Sequence, residues 1–215
     1  MKVRLKICGL TNFEDAEMAV RLGVDLLGFN FYPGSARYLP PENAREIIRR
    51  LPPLSVPVGV LVQPTLSRCL EILEITGVAA LQIQQPRDIP DFSVIPVPVI
   101  AGYRMRRANE TVPTGRGENL ILLDSFVPGI FGGTGKRLDW SRIPVEISRE
   151  RLALAGGIHP GNVREALEKV RPAVIDVASG AENSPGKKDP QKIRALVEQV
   201  QKFNGEQYMN RAKGE

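Results

Sequence analysis

The feature that most constrains this chain is a repeated alternation of short, solidly apolar segments with stretches of helical periodicity. Apolar runs cover residues 3–8, 26–31, 58–62, 79–83, 97–101, 120–123, 152–155 and 173–177. Runs that are apolar throughout, rather than at every second position, are the pattern of parallel strands buried on both faces. Between most of them lie helices with recognisable ends. Thr11 with Glu14 three residues later reads as a capping box, and Gly23 stops the helix it opens. Pro40-Pro41-Glu42 opens a second helix that runs to residue 50, and residues 66–76 form a third ahead of Gly77. Residues 160–170 and 189–203 form two more. Three connections are lean: residues 86–92 hold one helical turn at most, residues 109–117 read as loop, and residues 139–143 make a brief helix.

Eight strand units in 215 residues come to about 27 residues each, at the small end for a closed barrel of eight parallel strands and eight helices. A doubly wound open sheet is the competitor, but it usually needs fewer strands and a switch point. The expected fold is therefore α/β, a single (β/α)₈ TIM barrel over residues 1–203 with helices 4 and 5 short or missing. Residues 204–215 read as a frayed polar tail. The thin wall beside helices 4 and 5 is expected to leave apolar strand surface open to solvent or to a partner subunit.

Composition excludes several classes. The net charge of +5 is spread along the chain, with no block of like charges that would suggest a nucleic-acid arm. No apolar stretch reaches the roughly 18 residues of a membrane span, and the start has no run of signal-peptide length. Two cysteines give no disulfide framework, so a reducing cytoplasm is the default setting. No cluster has metal-ligand spacing. Gly132-Gly-Thr-Gly-Lys136-Arg137 fails as a phosphate-binding P-loop, because position 130 is Ile and Arg137 stands where Ser or Thr would hold magnesium.

In such a barrel the chemistry sits at the carboxyl ends of the strands. That rule selects Cys8 after strand 1, Arg37 in the long loop after strand 2, Gln84 after strand 4 and Asp124 at the end of strand 6. It also selects Gly156 and Gly157 after strand 7, Asp176 within strand 8, and Ser179 and Gly180 after it. Strands 1 and 6 are three steps apart in a ring of eight, so a thiol and a carboxylate there face one another across the mouth and can act as base and acid. Glycine-rich loops 7 and 8 offer bare N–H groups to a phosphate, and Arg37 can clamp a carboxylate in a bidentate pair. Each residue also has a plainer reading. Cys8 can be a small core residue, Asp124 a turn acid, Arg37 a solvated loop charge and Gly156-Gly157 an ordinary turn. Cys69, within a helical pattern, reads as core, and His159, the only histidine, as a capping or surface residue. Strand alternation puts Lys6 on the face of Cys8 without requiring contact.

Six segments occur together in order along nearly the whole chain. They are Lys6-Ile-Cys-Gly-Leu-Thr11, Gly28-Phe-Asn-Phe-Tyr-Pro-Gly-Ser-Ala-Arg-Tyr38, Leu122-Leu-Asp-Ser125, Gly132-Gly-Thr-Gly-Lys-Arg-Leu-Asp-Trp140, Leu154-Ala-Gly-Gly-Ile158 and Asp176-Val-Ala-Ser-Gly-Ala-Glu-Asn-Ser-Pro-Gly-Lys-Lys-Asp189. In these the chain resembles the phosphoribosylanthranilate isomerase family. The resemblance implies a cofactor-free Amadori rearrangement of N-(5-phosphoribosyl)anthranilate to 1-(2-carboxyphenylamino)-1-deoxyribulose 5-phosphate in tryptophan biosynthesis. It implies Cys8 as general base, Asp124 as general acid, Arg37 on the anthranilate carboxylate, Gly156, Gly157, Ser179 and Gly180 around the phosphate, and Asp176 as an acid near the site. The implied partner is a phosphosugar, with no nucleic acid or membrane, and the assembly a monomer or a homodimer. For that division of labour the Cys8 pKa should be low enough to populate thiolate, and the Asp124 pKa should be raised.

One stretch departs from the family. Strand 4 there usually ends Gln-Leu-His-Gly, whereas here it reads Gln82-Ile83-Gln84-Gln85. Glutamine keeps hydrogen-bonding capacity but lacks the imidazole and the turn glycine. Two alternatives follow: a bifunctional isomerase that also takes the histidine-pathway aminoaldose, and a phosphosugar-binding barrel without turnover. The presence of Arg37 weighs against the first, and of Cys8 with Asp124 against the second.

Overall fold

A computed structural model of the chain describes residues 1–87, 89, 91–105, 111–125 and 139–212. Eight parallel strands close on themselves in chain order: β1 (Arg4–Cys8), β2 (Leu26–Asn30), β3 (Pro57–Val62), β4 (Ala80–Gln84), β5 (Val99–Met105), β6 (Leu120–Ser125), β7 (Leu152–Leu154) and β8 (Val174–Val177). The ring shuts where β8 pairs with β1, with Lys6 opposite Asp176. Helices α1 (Phe13–Leu22), α2 (Pro41–Arg50), α3 (Leu66–Thr76) and α4 (Val163–Val170) fill crossovers, and α5 (Pro190–Ala212) follows β8. A hairpin of β9 (Glu182–Ser184) and β10 (Lys187–Lys188) lies between β8 and α5.

The solid apolar runs have a simple cause. Outward residues such as Leu27, Phe29, Leu81, Ile83, Leu123 and Ile175 pack under the helices in one cluster. Inward residues Leu26, Val58, Ala80, Ile100, Leu122, Ala153 and Val174 fill the barrel in a second. Each strand therefore buries both faces, and the inner cluster plugs the bottom so that the interior is a packed floor. At the next inward position the composition changes: Lys6, Gln82, Asp124 and Asp176 bring polar groups there.

Helix ends follow local chemistry, with two departures from expectation. The N-cap of α1 is Asn12, whose side chain accepts from Asp15 N–H, while the Thr11 hydroxyl donates to the Gly186 carbonyl at 2.7 Å. A tertiary partner thus takes Thr11 away from the capping role. Residues 204–212 are no frayed tail: α5 continues to Ala212. Asn204 accepts from Val3 N–H at 2.8 Å and donates to Val3 C=O at 2.9 Å, and Arg164 of α4 reaches Glu206 at 2.6 Å.

Among the described residues the wall between β4 and β7 is as lean as expected. Its described residues form only single 3₁₀ turns at Phe92–Val94, Trp140–Arg142 and Arg149–Arg151. The expected exposure of strand surface does not follow. Leu81, Ile83 and Val99 are buried, and Ile89, Phe92 and Ile95 of the connection after β4 are buried in the same apolar cluster, with Arg116 stacked over the Phe92 ring at 5.0 Å. Among the described residues no helix is long and apolar enough to cross a membrane.

Candidate active site

Cys8, Arg37, Asp124, Gly156, Gly157, Asp176 and Ser179 all line one cavity of about 750 Å³, including its open mouth, above the polar inward residues. Gly180 does not line it. Its Cα packs against the Ile158 carbonyl so tightly that a Cβ would overlap it, so Gly180 locks loop 8 against loop 7. Gly156 and Gly157 both have positive φ, at 87° and 67°. A Cβ on Gly156 would also fall 2.8 Å from Ser125 N and 3.1 Å from an Asp124 oxygen, so this glycine lets loop 7 lie directly against the acid. The Asn162 side chain ties the loop down by donating to Gly157 C=O at 2.8 Å and accepting from His159 N–H at 2.8 Å. His159 itself is exposed and its Nδ1 accepts from Gly161 N–H. The glycine-rich segment over residues 132–136 lies outside the described residues.

Asp124 is 8% exposed, and its Oδ1 accepts from Ser125 N–H at 2.7 Å. Burial and the negative charge of Asp176 push its pKa up to about 6, against the pull of Ser125 and Arg104. The raised acid expected from sequence is present. For Cys8 the direction is the reverse of that expected: burial pushes the thiol up, and Lys6 and Lys188 draw it back only partly. Lys6, whose contact with Cys8 strand alternation left open, is fully buried beside it and donates to Asp176 at 2.9 Å. Burial pulls the lysine pKa down, but Asp176 and Cys8 lift it beyond its ordinary value, so the ammonium stays charged. Gly28 makes room for both groups, since a Cβ there would sit 3.0 Å from Lys6 Nζ and 3.1 Å from Cys8 Sγ. Cys69 is core, as its helical position suggests, with a pKa raised to about 11 by burial.

Arg37 is not a free loop charge. Its Nε and Nη2 donate to the buried Glu182 carboxylate at 2.9 and 2.6 Å. Glu182 also accepts from Lys188 Nζ at 2.6 Å, and Lys188 donates in turn to Cys8 C=O at 2.6 Å. Gly9, at φ 77°, has no side chain because the Arg37 stem crosses it. Ser35 and Asn30 brace the same loop, with Ser35 Oγ accepting from Arg37 N–H and Asn30 Nδ2. Glu182, Lys188, Gln82 and Arg104 are not marked as site residues by strand-end position or local pattern, yet Gln82 and Arg104 line the cavity. A Glu–Lys pair in a surface-looking Asn-Ser-Pro-Gly turn gives no local sign of burial.

Gln84 and Gln85 stand where the family motif has His-Gly. The Gln84 side chain lies over Gly102, where a Cβ would clash with its amide. Gln85 adopts φ 52°, the left-handed conformation that a glycine takes without strain.

A family model described as N-(5'phosphoribosyl)anthranilate (PRA) isomerase matches residues 5–199. The chain belongs to the phosphoribosylanthranilate isomerase family. The N-(5'-phosphoribosyl)anthranilate isomerase of Citrifermentans bemidjiense is 38% identical over 201 residues, 93% of this chain and 98% of that one. The crystal structure of phosphoribosyl anthranilate isomerase from Thermus thermophilus superposes with TM-score 0.81 at 33% identity, covering 94% of this chain and all of that one. A further family structure, in complex with reduced 1-(o-carboxyphenylamino)-1-deoxyribulose 5-phosphate, has TM-score 0.76 at 35% identity, covering 93% of this chain and 99% of that one. The closed barrel is the architecture of these family structures, and this chain is an aldose–ketose isomerase of tryptophan biosynthesis.

Proposed function

We propose that Cys8 and Asp124 divide the proton transfers of this isomerisation, with Arg37 and loops 7 and 8 holding the two ends of the substrate. Their convergence on one cavity, from β1 and β6, is the observation that supports the reading. Asp124 gives its proton to the furanose ring oxygen. The C1–O bond opens as the anthranilate nitrogen pushes in its electron pair, leaving an iminium ion. The Cys8 thiolate takes the proton from C2, and the C2–H electrons form the C1=C2 bond of an enolamine and neutralise the nitrogen. Transfer of a proton from the C2 hydroxyl to C1 then gives the ketone. The nitrogen is the electron sink throughout. Substrate phosphate lies against the N–H groups of Gly157 and Ser179. Glu182 occupies the Nε edge of Arg37, and a guanidinium has five N–H donors. The end-on edge therefore remains for the anthranilate carboxylate. An arginine fixed in this way also favours the carboxylated tryptophan-pathway substrate over the aminoaldose.

The two pKa directions shape the pH dependence. With Asp124 near 6 and Cys8 above its ordinary value, the productive form, protonated acid with ionised thiol, is a minority at every pH. Its population falls below pH about 6, where the thiolate is lost with no gain in protonated acid. It is level between the two pKa values, where one gain offsets the other loss, and falls again above the thiol pKa. The developing iminium, a cation beside the sulfur, favours the thiolate when it is needed. The test is the pH profile of kcat/KM for the protein and its Cys8→Ser variant. The acid limb near 6 should persist in both while the alkaline limb moves up towards the range of an alcohol, and an alkaline limb unmoved by the substitution refutes the role of Cys8.

A further inference from the structure

Gln82, in the middle of β4, is 2% exposed and lines the same cavity as Cys8 and Asp124. Its Oε1 is buried and, among the described residues, accepts no hydrogen bond. The register explains why. Gln82 lies opposite Val60 on β3 and Ile100 on β5, so the neighbouring strands offer it only apolar side chains. Two strands along, Asp124 is fixed by Ser125, and across the barrel Lys6 and Asp176 are committed to one another. A buried amide oxygen left without a donor is a standing penalty in the free protein, and a leucine or methionine would fill the same space without it.

We infer that Gln82 is a substrate-contacting residue whose side-chain oxygen accepts the C3 hydroxyl of the pentose. The inference rests on the division of labour proposed above, which accounts for the other polar groups of the substrate. Phosphate at C5 belongs to loops 7 and 8, the ring oxygen to Asp124, the C2 proton to Cys8 and the carboxylate to Arg37. Two hydroxyls remain. The one on C2 becomes a carbonyl and ceases to be a donor during the reaction. The one on C3 stays a donor from substrate to product, so an acceptor facing it is satisfied at every step. Such a contact orients the pentose on the floor, with C2 towards the thiol, and discriminates against sugars without that hydroxyl, because binding one leaves Oε1 unpaired.

The experiment is a two-by-two comparison of affinities. The ligands are reduced 1-(o-carboxyphenylamino)-1-deoxyribulose 5-phosphate and its 3-deoxy counterpart, and the proteins are the full chain and its Gln82→Met variant, with turnover of the natural substrate measured alongside. The full chain should bind the 3-deoxy ligand about tenfold to a hundredfold more weakly than the parent. In Gln82→Met that ratio should shrink to below about threefold, kcat/KM should fall by a similar tenfold to hundredfold, and the melting temperature without ligand should hold or rise. Gln82→Asn, which keeps the amide but withdraws it by one methylene, should behave like Gln82→Met and serves if that variant does not fold. An unchanged ratio between the two ligands in a folded variant overturns the inference, as does wild-type protein that does not distinguish them. Failure of the underlying reading has a different signature: Cys8→Ala or Asp124→Asn would then retain turnover, whatever Gln82 does.

Discussion

The two sides of this barrel are built differently. On the side of β7, β8, β1 and β2, full helices α4, α5, α1 and α2 back the strands, and the polar groups at the mouth are paired: Lys6 with Asp176, Arg37 with Glu182, Glu182 with Lys188. On the side of β4 to β6, the described backing is single turns and a few apolar side chains. There the groups are held under penalty: Asp124 with its pKa raised to about 6, Gln82 with an unpaired oxygen, Gln85 at positive φ. The thick side positions charge for binding. The lean side holds a carboxyl in surroundings that raise its affinity for a proton, which full pairing with a cation would lower.

That contrast can be broken at several points. Asp124→Asn should lower kcat by about 10² to 10⁴, the range for loss of a positioned acid, with an unchanged circular dichroism spectrum. A loss of only a few-fold in steady-state assays would move the acid elsewhere. On the thick side, Glu182→Ala leaves two buried cations without their carboxylate and should destabilise by about 3–5 kcal/mol in urea titration, with KM raised as Arg37 loses its anchor. A change near zero there would mean that the pairing is ornamental.

The penalty on Asp124 itself is open to measurement. Its folded pKa is raised, so between pH about 4 and about 6 the folded chain keeps a proton that the unfolded chain has released. Folding stability therefore falls as pH rises through that window, and the loss is complete above it. Asparagine carries no such penalty, so Asp124→Asn should be more stable than the parent at pH 8 by up to about 2–3 kcal/mol and no more stable at pH 4. Equal stability differences at the two pH values would contradict the raised pKa. The smallest effect belongs to Gln85→Gly, which relieves the left-handed strain and should stabilise by about 0.5–1 kcal/mol in thermal melts.

Much of the site was legible because strand order plus one rule, that barrel chemistry lies at strand carboxyl ends, reduces the chain to a few positions. Cys8, Asp124, Arg37, Asp176, Ser179 and the glycines Gly156, Gly157 and Gly180 are all at or near such ends, and all of these eight but Gly180 meet in one cavity. Gln82 was passed over because it lies mid-strand, where an isolated polar residue in Ala-Leu-Gln-Ile reads as strand interior. Arg104 was missed because β5 runs four residues past the expected end at 101, to Met105. Thr11 and Asn204 were misread for a shared reason: each looks like a local punctuation residue, but each bonds a distant backbone, Gly186 and Val3.

By itself the sequence determined what depends on neighbours along the chain: which segments are strands, where α2 and α3 begin and end, and that both strand faces are buried. Only the tertiary structure decided what depends on groups far apart in sequence. Glu182 meets Arg37 from 145 positions away in the chain, and Lys6 meets Asp176 from 170 away. Whether Cys8 is pulled towards thiolate or pushed from it depends on how deeply folding buries it among those charges. Hydrophobic periodicity is a one-dimensional signal, whereas desolvation and Coulomb energies depend on three-dimensional distance and burial.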